Sequence, residues 1–322
     1  MDNFDPNRIS VIMPCFNAAP YVADAVTSVL KQTHPAVELI VVDDGSTDGS
    51  ESILDELAQA HPQRITLLHQ TNSGPYAARN VGLTHARGNF VAFLDADDLW
   101  HPEALARLHE ALFQTEADVA YCGWQNVGEL AANSQPFIPP NYATIDAARA
   151  FLKSCPWPIN GVLLRRQLVD TLRGFSERLP TAMDYDLWLR MLPLQPTVVR
   201  VADVLAYYRR YPRGSAHIPR WRQIFDAIAV REAFARRHPE QIRHLHRSER
   251  EALLYGSLLP EAYRCHWRRD TESSRRLFRR AARKAHWQAR DAKYILASFL
   301  PAQAFNALIR FVDARRDTRP AL

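Results

Sequence analysis

Over the first 112 residues, short β-branched runs alternate with stretches of helical apolar spacing. That order restricts the chain to an α/β fold around a mostly parallel sheet with flanking helices. The first run, Ile9, Ser10, Val11, Ile12 and Met13, is expected to stop at Pro14, and Val22, Val26, Val29 and Leu30 mark one face of the helix after it. Glu38, Leu39, Ile40, Val41 and Val42 are nearly all apolar, as a parallel strand buried on both faces requires. Ser46, Thr47 and Asp48 can cap a helix whose Ile53, Leu54 and Leu57 share a face. A third strand is expected over 65–68, a helix opened by Asn72, Ser73, Gly74 and Pro75, and a fourth strand over 90–94. Pro102 suits the first position of a helix over 103–112, with a fifth strand over 118–122. Regularity then weakens. Residues 128–144 read as a mobile Pro-rich loop, a helix is expected near 147–152, a strand near 161–164 and a short helix over 184–192. From about Trp221 the chain reads as helical without a solenoid repeat.

The 322 residues are 47% hydrophobic and 23% charged, which excludes a disordered chain and allows one large domain or two ordinary ones. Cys15, Cys122, Cys155 and Cys265 lack paired spacing, which excludes a disulfide scaffold or zinc ribbon and suits a reducing compartment. The polar opening residues give no expectation of a signal peptide, and the uncharged stretch 294–309 is shorter than the ~20 residues of a spanning helix. Neither secretion nor a single-pass anchor is expected, and a cytoplasmic location follows. The net charge of +5 hides an asymmetry: from Arg209 onward there are 26 Lys and Arg against 11 Asp and Glu, and before it 14 against 24. An acidic front can hold a cation, and a basic tail can meet an anionic surface.

In an open α/β sheet, ligands bind beyond the carboxyl ends of the strands. Here those ends carry acids. The second apolar run leads into Asp43, Asp44, Gly45, Ser46, Thr47 and Asp48, and the fourth into Asp95, Ala96, Asp97 and Asp98. Capping accounts for Ser46 or Asp48, and could account for Asp97 and Asp98. It does not account for the adjacent pair Asp43 and Asp44, nor for Asp95. An Asp-x-Asp pair at a strand end suits a hard dication such as Mg²⁺ or Mn²⁺, which takes oxygen ligands and keeps positions open for phosphate.

Further stretches extend the pattern: Ser10-Val11-Ile12-Met13-Pro14-Cys15-Phe16-Asn17, then Gly74 with Ala78-Arg79-Asn80 and Gly82, then Gly88-Asn89-Phe90 leading to the Asp95 cluster. Gly174-Phe175-Ser176-Glu177 precedes Asp184-Tyr185-Asp186-Leu187-Trp188-Leu189-Arg190. In order and spacing these resemble the GT-A glycosyltransferases of family 2, up to about Tyr211. The resemblance implies a Rossmann-like GT-A domain that transfers a hexosyl group from a nucleotide-sugar with inversion. It implies a nucleotide-sugar site made by Pro14, Asn17, Asp43, Asp44, Arg79, Asn80 and Asp95, with Asp44 accepting from the uracil of a UDP-sugar. Asp97, with Asp95, is expected to bind Mn²⁺ or Mg²⁺. Arg79 reads equally well as an ion-pair partner of Asp95 or Asp97.

Inverting transfer needs a carboxylate beside the acceptor hydroxyl. The family usually shows Glu-Asp here with the Asp as base, whereas this chain has Met183-Asp184. Asp184 is the expected base and Asp186 the alternative. Asp186 also reads as an i,i+4 partner of Arg190 on the exposed side of a helix whose buried face carries Leu187, Trp188 and Met191. Met183 leaves open a degenerate member of the fold that only binds nucleotide-sugar or a partner. Processive synthases carry Gln-x-x-Arg-Trp and spanning helices. Arg220-Trp221 lacks that Gln, so addition of a single sugar is favoured. A sugar nucleotidyltransferase needs a Gly-rich loop after the first strand, and 14–20 contains no glycine. His238, His244, His246 and the pair Cys265-His266 read as surface or packing residues rather than zinc ligands.

The expected organisation is a glycosyltransferase domain over 1–215, with a nucleotide-sugar half to about 115 and an acceptor half from 116, then a helical basic region over 216–322. The basic region has two readings, a solvated bundle face or a peripheral surface for anionic membrane. In the second, Ile295, Phe299, Phe305, Leu308 and Ile309 enter the interface. Nucleic acid is disfavoured for want of a recognisable module. The expected acceptor is a glycan or lipid-linked hydroxyl of bacterial surface polysaccharide assembly, at the inner face of the membrane.

Overall fold

The computed structural model describes residues 5–211 and 218–308, and the chain divides into two compact units, Met1–Ser215 and Ala216–Leu322. The first is built on strands β1 (Asp5–Cys15), β2 (Val37–Asp43), β3 (Ile65–His69), β4 (Gly88–Phe93), β5 (Leu99–Trp100), β6 (Val119–Val127), β7 (Val162–Arg165) and β8 (Val198–Arg209). Its helices are α1 (Val22–Leu30), α2 (Ser50–Ala60), α3 (Pro75–His85), α4 (Ala104–Thr115), α5 (Ala147–Lys153), α6 (Arg166–Thr171) and α7 (Met183–Met191). The sheet order is β3-β2-β1-β4-β7-β6-β8-β5. Strands β3, β2, β1 and β4 are parallel, as is the β6/β8 pair, whereas β7 runs antiparallel to both its neighbours and β5 antiparallel to β8. The sheet is therefore mixed, with the expected parallel strands confined chiefly to one half.

Alternation along β1 separates two cores. Ile9, Val11 and Met13 join a cluster with Val22, Val26 and Val29 of α1 and with Leu105, Leu108 and Leu112 of α4. On the other face α3 comes so close that a Cβ on Gly82 would lie 2.5 Å from the Ile12 side chain. All seven residues of β2 are buried, which is why its sequence shows no polar alternation.

Three boundaries differ from expectation. Strand β1 runs through Pro14 to Cys15, because β4 pairs with it only as far as Ile12 and Pro14 loses no bond on that side. Helix α4 begins at Ala104, and Pro102 stays outside it, its carbonyl accepting from the Thr33 N–H at 2.9 Å. The twelve-residue β8 has no expected counterpart. Arg200, Asp203 and Arg209 interrupt it, and most of its residues are half-buried, so neither strict alternation nor a continuous apolar run marks it.

The second unit contains α8 (Arg220–Arg237), α9 (Arg247–Tyr255), α10 (Leu258–Trp267), α11 (Thr271–Lys284) and α12 (Ala292–Ala297). It has its own core, in which Leu277, Phe278 and Ala281 of α11 meet Leu258, Ala262, Cys265, Tyr294, Ile295 and Phe305. Ile295 and Phe305, expected at a membrane interface, are thus core residues, 2% and 0% exposed; Ile309 lies outside the described residues. Among the described residues no helix is long and apolar enough to cross a membrane.

Candidate active site

The carboxyl ends of β2, β1 and β4 form one rim, and the chain leaves each strand into a polar turn. Beyond β4, Asp95, Asp97 and Asp98 each offer a carboxylate oxygen, all within 4.8 Å of one another. Each is held from a different direction. Asp95 forms an ion pair with Arg79 of α3, and Asp97 accepts from the Tyr211 hydroxyl at 2.8 Å. Asp98, 1% exposed, accepts from Asn160 Nδ2 at 2.8 Å and from the Arg209 N–H at 2.9 Å. Burial, then the charge of Asp95, pushes the carboxyl of Asp98 well above the usual range and that of Asp97 upward. Burial and the same three acids raise the Tyr208 phenol. Three acids in so small a volume, acceptor-only when ionised, suit a hard dication.

Arg79 connects this cluster to α7. Its guanidinium is buried, 5.4 Å from the Tyr76 ring centroid and 5.7 Å from that of Phe175. It feels the charges of Asp95 and Asp184 together. Asp184 is the second residue of α7, half-buried, and the turn before it is set by Ala182 at φ 61°. Burial raises its carboxyl above the ordinary value, while a backbone N–H and Arg79 oppose that shift. The Tyr76 phenol meets the Met183 backbone N–H and is raised by burial and by Asp184. Met183 itself is 0% exposed.

Asp186 is placed otherwise. It is 3% exposed, its Oδ1 takes Arg178 Nη2 at 2.7 Å and its Oδ2 takes Arg190 Nε at 2.7 Å. The i,i+4 pair is present but buried rather than on an exposed face, because Arg190 also reaches the carbonyls of Leu172 and Gly174 beneath the helix. Asn80, expected on the nucleotide side, instead grips the segment before α7. Its Nδ2 donates to the Phe175 carbonyl and to Glu177 Oε1, and its Oδ1 accepts from the Phe175 N–H.

At the β2 end, Asp44 is 2% exposed and accepts from Gln70 Nε2 at 2.7 Å and from the Ser73 and Gly74 N–H groups at 2.8 Å. It anchors the turn into α3. Asp43, also buried, faces the Ser46 N–H and His69 Nδ1. Asn17 has a left-handed backbone (φ 51°), and its Oδ1 accepts from the Thr47 N–H at 2.8 Å, tying the turn after β1 to that after β2. Buried Pro14 lies just below, in register with Val42. The Cys15 thiol is raised to about 12 by burial and Asp43.

Tyr76, Asn160, Arg178, Tyr208, Arg209 and Tyr211 also build this region, and none was singled out from the sequence. The run Tyr207-Tyr208-Arg209-Arg210-Tyr211, polar and aromatic at the end of an apolar stretch, was a signal for three of them. Asn160 and Arg178 had no local signal, since their partners lie in other elements.

Comparison with known proteins decides the family. The model "Glycosyl transferase family 2" matches residues 10–168, which include the acid cluster and end before α7. A Bacillus subtilis glycosyltransferase named for teichuronic acid biosynthesis, TuaG, is 33% identical over 210 residues, spanning 65% of this chain and 81% of that protein. The chain belongs to glycosyl transferase family 2. Another relative of this family 2 glycosyltransferase, alr2836 of Nostoc sp., is 46% identical over 170 residues, 51% of this chain and 52% of that protein. Staphylococcus aureus TarS, solved with UDP-GlcNAc, matches at a TM-score of 0.61 and 20% identity over 98% of this chain and 93% of that one. The mannosyltransferase PcManGT of Pyrobaculum calidifontis, solved with GDP-Man and Mn²⁺, matches at 0.58 and 21% over 98% and 88%. These likenesses establish the GT-A fold.

Proposed function

We propose that this family 2 glycosyltransferase moves one sugar, with inversion, from a UDP-sugar to an acceptor hydroxyl, with Asp184 as base and Asp95, Asp97 and Asp98 holding Mn²⁺ or Mg²⁺. The observation that carries the reading is Asp184, a half-buried carboxylate of raised pKa sharing the field of Arg79 with Asp95. Each step balances. Asp184 takes the proton of the acceptor O–H as its oxygen bonds to the anomeric carbon. The bond from that carbon to the phosphate oxygen breaks, and its electron pair leaves with the nucleoside diphosphate. A base raised toward working pH accepts that proton more readily than an ordinary aspartate. Arg79 offsets the repulsion between the ionised forms of Asp184 and Asp95. The dication, when bound, neutralises charge on the departing diphosphate.

Asp44 orders the turn on which the donor base would lie, and Asn17 and Asp43 order the adjoining turns. Asp186 is a poor base, since both its oxygens are engaged by arginines. Met183 does not favour a degenerate binder, because its position is fully buried and a second acid there would need a partner. TarS and PcManGT, solved with nucleotide-sugars and one with Mn²⁺, support the donor class, and TuaG supports surface polysaccharide assembly as the setting. Free Cys15, Cys122, Cys155 and Cys265 suit the reducing cytoplasm as the place of action.

Thermal shift against UDP- and GDP-sugars, with and without Mn²⁺, tests the donor and the metal together. We expect a UDP-sugar to raise Tm, Mn²⁺ to enlarge that rise, and Asp97→Asn to remove the Mn²⁺ increment. The increment should grow from pH 5 to 7.5, because the raised folded-state pKa values of Asp97 and Asp98 let protons compete with the cation at lower pH. A protein stabilised by no nucleotide in either condition would contradict the reading.

A further inference from the structure

We propose that the second unit carries a docking face for an anionic lipid bilayer, formed by Arg275, Arg279 and Arg283 of α11 with Leu296, Phe299 and Leu300. The inference rests on this unit alone and does not depend on the transfer reaction.

The apolar part is outward-facing by construction. Ile295, Ala297 and Ser298 are buried, whereas Leu296, Phe299 and Leu300 beside them are 67%, 48% and 38% exposed. The cationic part lies against it. Arg279 donates to the Ser298 carbonyl from Nε and Nη2, at 3.1 and 2.6 Å, and its guanidinium lies 5.5 Å from the Phe299 ring centroid. Arg275 Nη1 reaches the Leu300 carbonyl at 3.4 Å. Spacing of four residues puts Arg275, Arg279 and Arg283 on one stripe of the helix.

That stripe is unneutralised. Arg276 pairs with Glu272, and Arg280 and Lys284 face Glu232. Arg275, Arg279 and Arg283 have no acidic partner among the described residues, and after desolvation their mutual repulsion with Arg276 is what pulls the Arg279 pKa down. A cationic stripe bordering exposed leucine and phenylalanine complements a surface that offers negative headgroups over acyl chain. A nucleic acid would satisfy the charge but leave the two leucines in water.

Flotation with phosphatidylglycerol:phosphatidylcholine vesicles tests the proposal on the full chain. We expect co-flotation at low salt, release at high salt, and no co-flotation with phosphatidylcholine alone. Three Arg→Gln changes at 275, 279 and 283 should weaken partitioning about 100-fold, at about fivefold for each cation near the surface. Because Arg275 and Arg279 also brace the 298–300 backbone, the exposed pair Leu296→Ser and Leu300→Ser, checked for unchanged Tm, supplies the second variant and should also weaken binding. No flotation at low salt, or undiminished flotation by the leucine variant, would overturn the proposal. So would binding of DNA that the leucine variant retains in full, or a dimer in solution that this variant dissociates.

Discussion

Asp184 and Asp186 sit two positions apart on α7, in sharply different environments. Asp186 is neutralised by two arginines at 2.7 Å and braces the helix, whereas Asp184 is held above its ordinary pKa by burial. Because the proton must be absent for Asp184 to act as base, the rate should fall as pH drops through this raised value. A pH profile of kcat/KM is expected to show its acid limb above the ordinary aspartate range. A limb at or below that range would detach Asp184 from the reaction. Asp43, Asp44 and the Asp95 cluster were legible because each follows an apolar run, and Asp184 through the resemblance of its motif to that of the family. The preference for Asp184 and the Arg190 partner of Asp186 were legible too. Arg178 and the approach of Arg79 to Asp184 were not, because both come from outside the helix and leave no mark in its spacing.

Strand–turn–helix units place these side chains, and their joints tolerate little change. Gly174 has φ +65°, and a Cβ there would lie 2.6 Å from Asn80 Oδ1, the atom that holds the Phe175 N–H. Gly174→Ala should therefore cost about 1–3 kcal/mol and loosen the 174–177 segment before α7. Denaturant unfolding measures the loss, and an unchanged midpoint would show that this joint adapts. At this scale β1, β2, β4 and α3 could be read directly, since buried parallel strands are written as apolar runs and Pro75 marks a helix start. Strand β8 could not. Its place is fixed by pairing with β6 and β5, contacts remote in sequence, and its Tyr208 and Arg209 were missed with it.

The asymmetry of charge follows the division of the whole molecule. The acidic front folds as the mixed sheet whose rim gathers Asp95, Asp97, Asp98 and, through Arg79, Asp184. The basic tail folds on a separate core, which is lined by apolar side chains and leaves Arg275, Arg279 and Arg283 outside it. Composition announced two surfaces but not which apolar residues stayed outside: Ile295 and Phe305 are core, and Leu296 and Leu300 are not. The central claim is that the rim and α7 act as one reaction centre. Asp184→Asn isolates it, since removing a half-buried acid of raised pKa takes away a penalty that grows as pH rises above the unfolded value and should leave neutral-pH stability intact. The decisive measurement is sugar transfer or donor hydrolysis by this variant and by wild type with Mn²⁺, beside nucleotide binding. We expect turnover to fall at least about 100-fold, the usual scale of general-base loss, with nucleotide affinity unchanged. Equal turnover by the two proteins would contradict it.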